Sequence, residues 1–548
     1  MSTDFGDYLK RTICLILIIS LIFTLSGCFL TSEGKTLYVP IDEEPVSLDP
    51  QIVFGYGDEI IARNCFEGLL RIDNKGAVDF GVAFEYKVSA NGLKYTFSLN
   101  PNACWHLTAE HKTVLTGDTL QNFDTSVKAG DFVFAFRRAL MPETKAPYAA
   151  NLFCIKNAKK VHDGSLSPEN LGVKAIDDLT LEITLEYEDT SFLYTLASPI
   201  AMPCNKEFFE KTKGKYGLDL DYILCNGPLY ITSWTHGSSV FIRMNKDYKG
   251  KAIVNASLIG LMINKDKTGR LNLLLSGSYD CDFVEAKAVS KIPDSSSLKL
   301  QKLQNSVWGL MINTHNSTLK DVDLRKALFY SFDRALFDSL DYIGEKTDSI
   351  MPAGCLIGNE LYSAIKPSSE TLLYSEEKAK LYFGKAIEKT ENRKISLTIT
   401  CSNDFRKSIE RVIQNWQSVL GVNLSIKLNE ASDAQLLDSI EKKSYEIAFI
   451  PVESDGSFAS EYINKLCSAT IAYSNKTLDS LLLQEKKQTS TAKKARIISK
   501  IEEQLYSNAV FYPVFNGYTY FATYIKTEGI YYYSSKNNLC LYSGERNE

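Results

Sequence analysis

The sequence predicts an α/β protein of more than one domain. Alternation is the main observation: a helix-period stretch at 375–388 is followed by the strand ISLTIT at 395–400 and by a helix that repeats Phe405, Ile409, Val412, Trp416 and Leu420 and stops at Gly421. A strand at 422–428, a helix over 432–441 and a strand at 445–450 continue the alternation, which is how an α/β layer reads. Length is the second observation, because 548 residues exceed what one hydrophobic core serves and correspond to about two to four domains. The third is the run SYEIAFIPVESDGSF at 444–458, which changes halfway from apolar to polar.

In that run Tyr445, Ile447, Phe449 and Ile450 are β-formers, and Ala448 is small enough to lie under a helix, so a strand buried on both faces is expected, ending at Pro451. Glu453, Ser454, Asp455 and Gly456 follow. In open α/β sheets ligands bind beyond the carboxyl ends of strands, where a carboxylate could face a cationic ligand. The alternative is that Asp455-Gly456 is a turn with a solvated acid.

Composition excludes some classes. With 45% hydrophobic and 23% charged residues and a net charge of −5, the chain is neither disordered nor a basic nucleic-acid binder. Tyrosine, at 30, far outnumbers tryptophan, at 4, which suits surfaces that meet polar organic ligands as well as core edges.

At the amino terminus Lys10 and Arg11 precede an apolar run at 12–25 that closes with Leu25-Ser26-Gly27-Cys28. The run is shorter than a bilayer span, and its basic flank and small closing residues form a signal-peptide pattern over 1–27. Leu-Ser-Gly-Cys resembles the bacterial lipobox, which implies cleavage after Gly27, diacylation at Cys28 and a mature chain held at a membrane by lipid. Export permits disulfides. Ten cysteines remain beyond Cys28, scattered and without a CxxC pair, so neither a zinc site nor a pairing is readable, and buried free thiols are expected among them.

Along the mature chain TLYVPI at 36–41 reads as a strand, and Pro45 and Pro50 hold DEEPVSLDPQ extended. A helix is expected over 58–70, then a hairpin turning at Asn91-Gly92. Residues 107–128, polar and threonine-rich, read as a surface loop. DFVFAFRRAL at 131–140 places Phe132, Val133, Phe136 and Leu140 on one helical face with Arg137 and Arg138 opposite, and VDLRKALFYSFDRALF spaces Leu324, Leu328, Phe332 and Leu336 by four.

EPVSLDP, NCFEGLLRID, ANGLKYTFSL before Trp105, DFVFAFRRAL, GVKAIDDLTLEITL, SPIAMPCNKEFFEK, NGPLYITSW and VWGLMINTHNSTLKDVDLRKALFYSFDRALF follow one another in the order found in family 5 extracellular solute-binding proteins. The mature chain resembles that family, the oligopeptide- and dipeptide-binding lipoproteins of ABC importers, over essentially its whole length. The resemblance implies a two-lobed periplasmic-binding-protein-like fold of the type II, large cluster C kind, with an extra subdomain in the first lobe. It implies lobe I from 28–78, 79–205 as the extra subdomain, 206–305 as the second part of lobe I, 306–515 as lobe II, and a return to lobe I over 516–548, where FYPVFNGYTYFATYI crosses. Its implied partners are a short peptide and the ABC permease, with the protein a monomer on the periplasmic side or cell surface. Neither a cofactor nor nucleic acid is implied.

The family's strand-then-Trp-x-x-Asp motif aligns with the run at 444–458, so the resemblance gives Asp455 the role of pairing with a peptide's α-ammonium. A buried ammonium needs such a partner. Glu453, Pro451, Tyr148 in APYAA and Tyr56 complete the expected peptide-binding set, and a core role for Tyr148 is the alternative. Val452 stands where tryptophan is common, Phe449 where some members have arginine, and Pro451 where glycine is usual. Proline cannot donate a main-chain hydrogen bond, so weaker peptide binding or a different ligand, such as a nickel or haem-like chelate, stays open. A surface adhesion role also stays open. HExxH, GxSxG and GxxxxGK[ST] are absent, and Gly55-Tyr56-Gly57 lacks the third glycine of a dinucleotide loop. Cys104, His106 and His111 cluster, but as a chance grouping rather than a metal site, and no enzyme is expected.

Overall fold

The computed structural model describes residues 36–547 except 118–120, 190, 293–295, 341–343, 359, 368–372, 391–392, 455–457, 468–470, 472, 489 and 534–537. The signal segment, Cys28 and Asp455 lie outside the described residues.

Lobe I begins with β1 (Leu37–Ile41) and α1 (Tyr56–Cys65). The expected helix over 58–70 is shorter, because Phe66 turns to extended backbone and the chain enters a short strand at Leu70–Ile72. Next come β2 (Ala83–Val88), β3 (Lys94–Leu99), α2 (Ala129–Leu140), β4 (Val173–Asp177) and β5 (Thr180–Thr184). β2 and β3 form the expected hairpin, with Gly92 at φ 70° in the left-handed region its turn requires. These four strands make the subdomain sheet, in the order β2-β3-β5-β4.

The stretch 107–128 is not all surface. Leu115, Phe123 and Val127 are buried, and His111 and Phe123 pack against the Phe208 ring, so its apolar residues anchor a polar loop. Arg138 likewise departs from the helical-face reading: it is buried, gripping Asp49 with two hydrogen bonds of 2.5 and 2.7 Å and meeting Gln51 as well. That ion pair ties α2 to the EPVSLDP segment, and its desolvation is offset by bidentate geometry.

β6 (Leu229–Thr235), β7 (Ser239–Met244) and β8 (Leu258–Ile263) complete the lobe I sheet β1-β8-β7-β6, with β1 parallel to β8. β9 (Cys281–Glu285) precedes β10 (Leu298–Ile312), a strand of 15 residues. Lobe II adds α3 (Val322–Tyr330), β11 (Gly344–Lys346), α4 (Glu376–Glu388), β12 (Ile395–Cys401), α5 (Arg406–Leu420), β13 (Leu424–Glu430), α6 (Asp433–Glu441), β14 (Ile447–Glu453) and α7 (Thr491–Ser507). β15 (Phe511–Tyr524) then returns. α5 stops at Gly421, whose φ of 83° ends the helix as the sequence implies.

The large sheet runs β9-β15-β10-β14-β12-β13, with β11 also on β15. β14 lies parallel to β12 and antiparallel to β10. Ile447 and Phe449 point into a core with Ile399, Val412 and Trp416, while Ala448, Ile450 and Val452 point into another with Ala495, Ile498 and Leu505 of α7. Burial on both faces is thus what the apolar run encodes. The protein is two-lobed, and β10 and β15, of 15 and 14 residues, are paired along much of their length. Leu298–Leu303 pair with Tyr524–Thr519 near β9, and the register shifts before Ser306 pairs with Gly517 in lobe II.

Candidate functional site

The candidate site is built from the end of β14 and a cluster of aromatic rings. β14 does not stop at Pro451: it stays paired with β10 through Glu453, with Trp308 opposite Pro451 and Ser306 opposite Glu453. Proline fits because of the side its nitrogen faces. The Ser454 N–H donates to Asn305 O at 2.9 Å, and by the two-residue period the amide positions of 450 and 452 also face β10, whereas 451 and 453 face away. On that outer side β12 pairs only as far as Cys401 opposite Phe449. Beyond it, among the described residues, no strand pairs with the outer edge of β14.

The aromatic cluster is the second part. Tyr56, the first residue of α1, meets Phe283 of β9 edge-on at 5.4 Å, and Phe283 meets Tyr532 at 4.7 Å and Phe521 at 5.4 Å. About two turns along α1, Arg63 donates to Glu59 at 2.6 and 2.9 Å and to Ala197 O at 3.4 Å. Burial pushes the Tyr532 hydroxyl above its ordinary range, and the charges of Glu59 and Glu453 raise it further while Arg63 lowers it. Glu453 therefore acts electrostatically on Tyr532. Burial likewise raises Tyr56. Burial also raises the Glu67 carboxyl to about 7, partly opposed by the hydrogen bond it accepts from the Tyr248 hydroxyl and by Arg71.

Two further contacts near the site join residues far apart in sequence. Lys287, in the short helix Ala286–Val289 after β9, pairs with Asp404 beyond β12 at 2.7 Å. The Tyr194 ring of lobe I meets Phe458 of lobe II at 5.1 Å. Of the expected residues, Pro451 and Glu453 stand at the end of β14, and Tyr56 stands in the aromatic cluster whose Tyr532 feels the charge of Glu453. Asp455 lies outside the described residues, and Tyr148 stands at the head of a short helix at Ala149–Leu152, 41% exposed rather than in a core. Sequence reading missed Phe283, Tyr532, Tyr194, Phe458, Lys287 and Asp404; only Glu59 and Arg63, four apart on a helix, carried a local signal.

The Cys104, His106 and His111 grouping is used structurally. His111 receives the Thr108 N–H at 3.0 Å on Nδ1 and gives Nε2–H to Ile223 O at 2.8 Å, and burial lowers its pKa, so it is a neutral core histidine. His106 Nδ1 pairs with Asp247 at 3.0 Å. Among the described residues no group of three or more His, Cys, Asp or Glu is placed to hold a metal ion.

Residues 78–474 match the model of the bacterial extracellular solute-binding proteins, family 5 Middle. The chain belongs to that family. Family 5 proteins are the substrate-binding components of transporters rather than enzymes. Among the relatives, the dipeptide-binding protein DppE of Bacillus subtilis is 25% identical over 500 residues, 88% of this chain and 87% of the relative. The oligopeptide-binding protein OppA of the same organism is 25% identical over 520 residues, 91% of this chain and 90% of its own. The solved structure of Listeria monocytogenes OppA bound to peptide superposes with a TM-score of 0.72 at 22% identity, covering 94% of this chain and 100% of that one, which establishes the shared fold.

Proposed function

We propose that this family 5 protein is the substrate-binding lipoprotein of an ABC importer, capturing short peptides between its lobes outside the cytoplasmic membrane and delivering them to the permease as a monomer. The carrying observation is the outer edge of β14 from Pro451 to Glu453, which continues past the end of β12, with Glu453 near enough to act on Tyr532 of the Tyr56, Phe283 and Tyr532 cluster. An extended peptide adds to such an edge as a further strand, its main chain held by ladder hydrogen bonds and its side chains left to wet pockets. Asp455, two residues beyond the strand, takes the α-ammonium, and Tyr148 contributes at the rim. The relatives' names, dipeptide- and oligopeptide-binding, support the ligand class.

The lobes part where β10 and β15 shift register, near 306 and 516, so closing rotates one lobe on the other about two strands and presents the permease with a ligand-dependent shape. Cys28 carries the lipid, and Cys28→Ser is expected to leave unacylated precursor. Native mass spectrometry of the protein as purified from its exported form tests the ligand class. A mass excess that fragments as peptide is expected; a metal chelate or another non-peptide mass in the cleft would overturn the peptide assignment.

A further inference from the structure

Two cysteines that the cleft does not use face one another beneath α1. Cys65 closes α1 and is fully buried, and Cys225 lies just before β6, 4% exposed. Their segments are laced together: the Gly227 N–H donates to Cys65 O at 2.9 Å, the Asn226 side chain accepts the Glu67 N–H at 3.0 Å and donates back to Glu67 O at 2.9 Å. A Cβ on Gly227 would stand 2.6 Å from the Cys65 carbonyl carbon, so glycine is what lets the two backbones come this close. The two thiols lie near enough for Cys225 to act on the ionisation of Cys65. Other thiols meet different partners: Cys104 the Asp247 carbonyl and Cys540 the Ser543 hydroxyl.

We propose that Cys65 and Cys225 are joined by a disulfide in the exported protein. A disulfide needs backbones only a few ångströms apart, which the laced segments at 65–67 and 225–227 supply. Family membership places the chain in the extracellular compartment, where disulfides persist. The oxidant is a dithiol oxidoreductase in its disulfide form or a small-molecule disulfide. One cysteine thiolate attacks that disulfide and forms a mixed disulfide, releasing one sulfur of the oxidant as a thiol. The second thiolate attacks the protein sulfur of the mixed disulfide and releases the other. Two protein thiols are oxidised and one external disulfide is reduced to two thiols, so atoms and electrons balance. Burial raises the Cys65 pKa strongly in the folded chain, so the exchange belongs to folding, before the thiolate is closed off. The bond would tie the base of α1, which carries Tyr56, Glu59 and Arg63, to the strand entering the lobe I sheet, and it holds whatever the ligand is.

The test is thiol mapping of exported wild-type protein, unfolded without reductant, alkylated and digested. The ten cysteines from Cys65 to Cys540 are expected to give eight labelled sites and one linked pair, Cys65 with Cys225, separated by reductant. Labels on both Cys65 and Cys225, or either one bridged to a different cysteine, would overturn the proposal. As a second measurement, reduced and unfolded protein is refolded in a glutathione redox buffer. Re-formation of the same pair is expected, and a scatter of bridges among the ten would contradict it.

Discussion

Proline at 451 removes one donor from the outer edge of β14, away from β10, while its carbonyl still points out from that edge. Pro451→Ala restores the N–H without touching the β10 ladder. Peptide affinity should then rise by about twofold to tenfold, the worth of one net hydrogen bond of roughly 0.5–1.5 kcal/mol; unchanged affinity in a calorimetric titration would mean that the ligand does not ladder on this edge. Glu67 makes a pH prediction. Its folded pKa of about 7 lies above the ordinary carboxyl value of 4.5, so the folded state holds a proton that the unfolded chain has already lost. No penalty exists below pH 4.5, and stability falls as pH rises through 4.5 to 7, by about 3 kcal/mol at most. Glu67→Gln should therefore raise the urea midpoint relative to wild type at pH 8 but not near pH 4.5. Single residues were unevenly legible. Glu59 and Arg63 sit at helical spacing, whereas Arg138 was placed on the wrong face because its partner Asp49 is 89 residues away in sequence, beyond any local pattern.

At the scale of elements, the buried strand at 445–450 was readable because Ile447, Phe449 and Ile450 serve two cores at once. Its extension to Glu453 was not, since proline and a charged residue argue against a strand until the missing partner on one edge is known. The same limit applies to β10, whose first half, LKLQKLQ, alternates too weakly to announce a strand of 15 residues. Gly517 marks the element that matters for closure. It pairs with Ser306 just after the register shift, and a Cβ there would crowd the Ser306 hydroxyl and stand 2.7 Å from Trp308 Nε1. Gly517→Ala is expected to cost about 1–3 kcal/mol, the usual range for overpacking, read as a lower urea midpoint. An unchanged midpoint would show that the two crossing strands are looser than the structure has them.

For the molecule as a whole, the two-lobed fold was legible in the order of many moderately specific motifs, whereas the contacts that close it were not, because Lys287 and Asp404, or Tyr194 and Phe458, come from separate lobes with no shared local pattern. The Lys287–Asp404 pair is about half exposed, so it contributes roughly 0.2–1 kcal/mol and salt screens it. Lys287→Glu sets like charges together and should shift ligand-free protein toward open forms, seen as a larger radius of gyration by small-angle scattering in low salt, with the difference fading in high salt. A radius unchanged in low salt would remove the pair from the closing mechanism. Peptide capture itself is tested most directly by titrating ligand-stripped wild-type protein with a short free-amine peptide and its N-acetylated twin. Binding is expected with the free amine preferred by about thirtyfold or more, the scale of losing one partner of a buried charge pair, and Asp455→Asn should largely abolish that preference. No binding of either peptide, or equal affinity for both, would contradict the assignment.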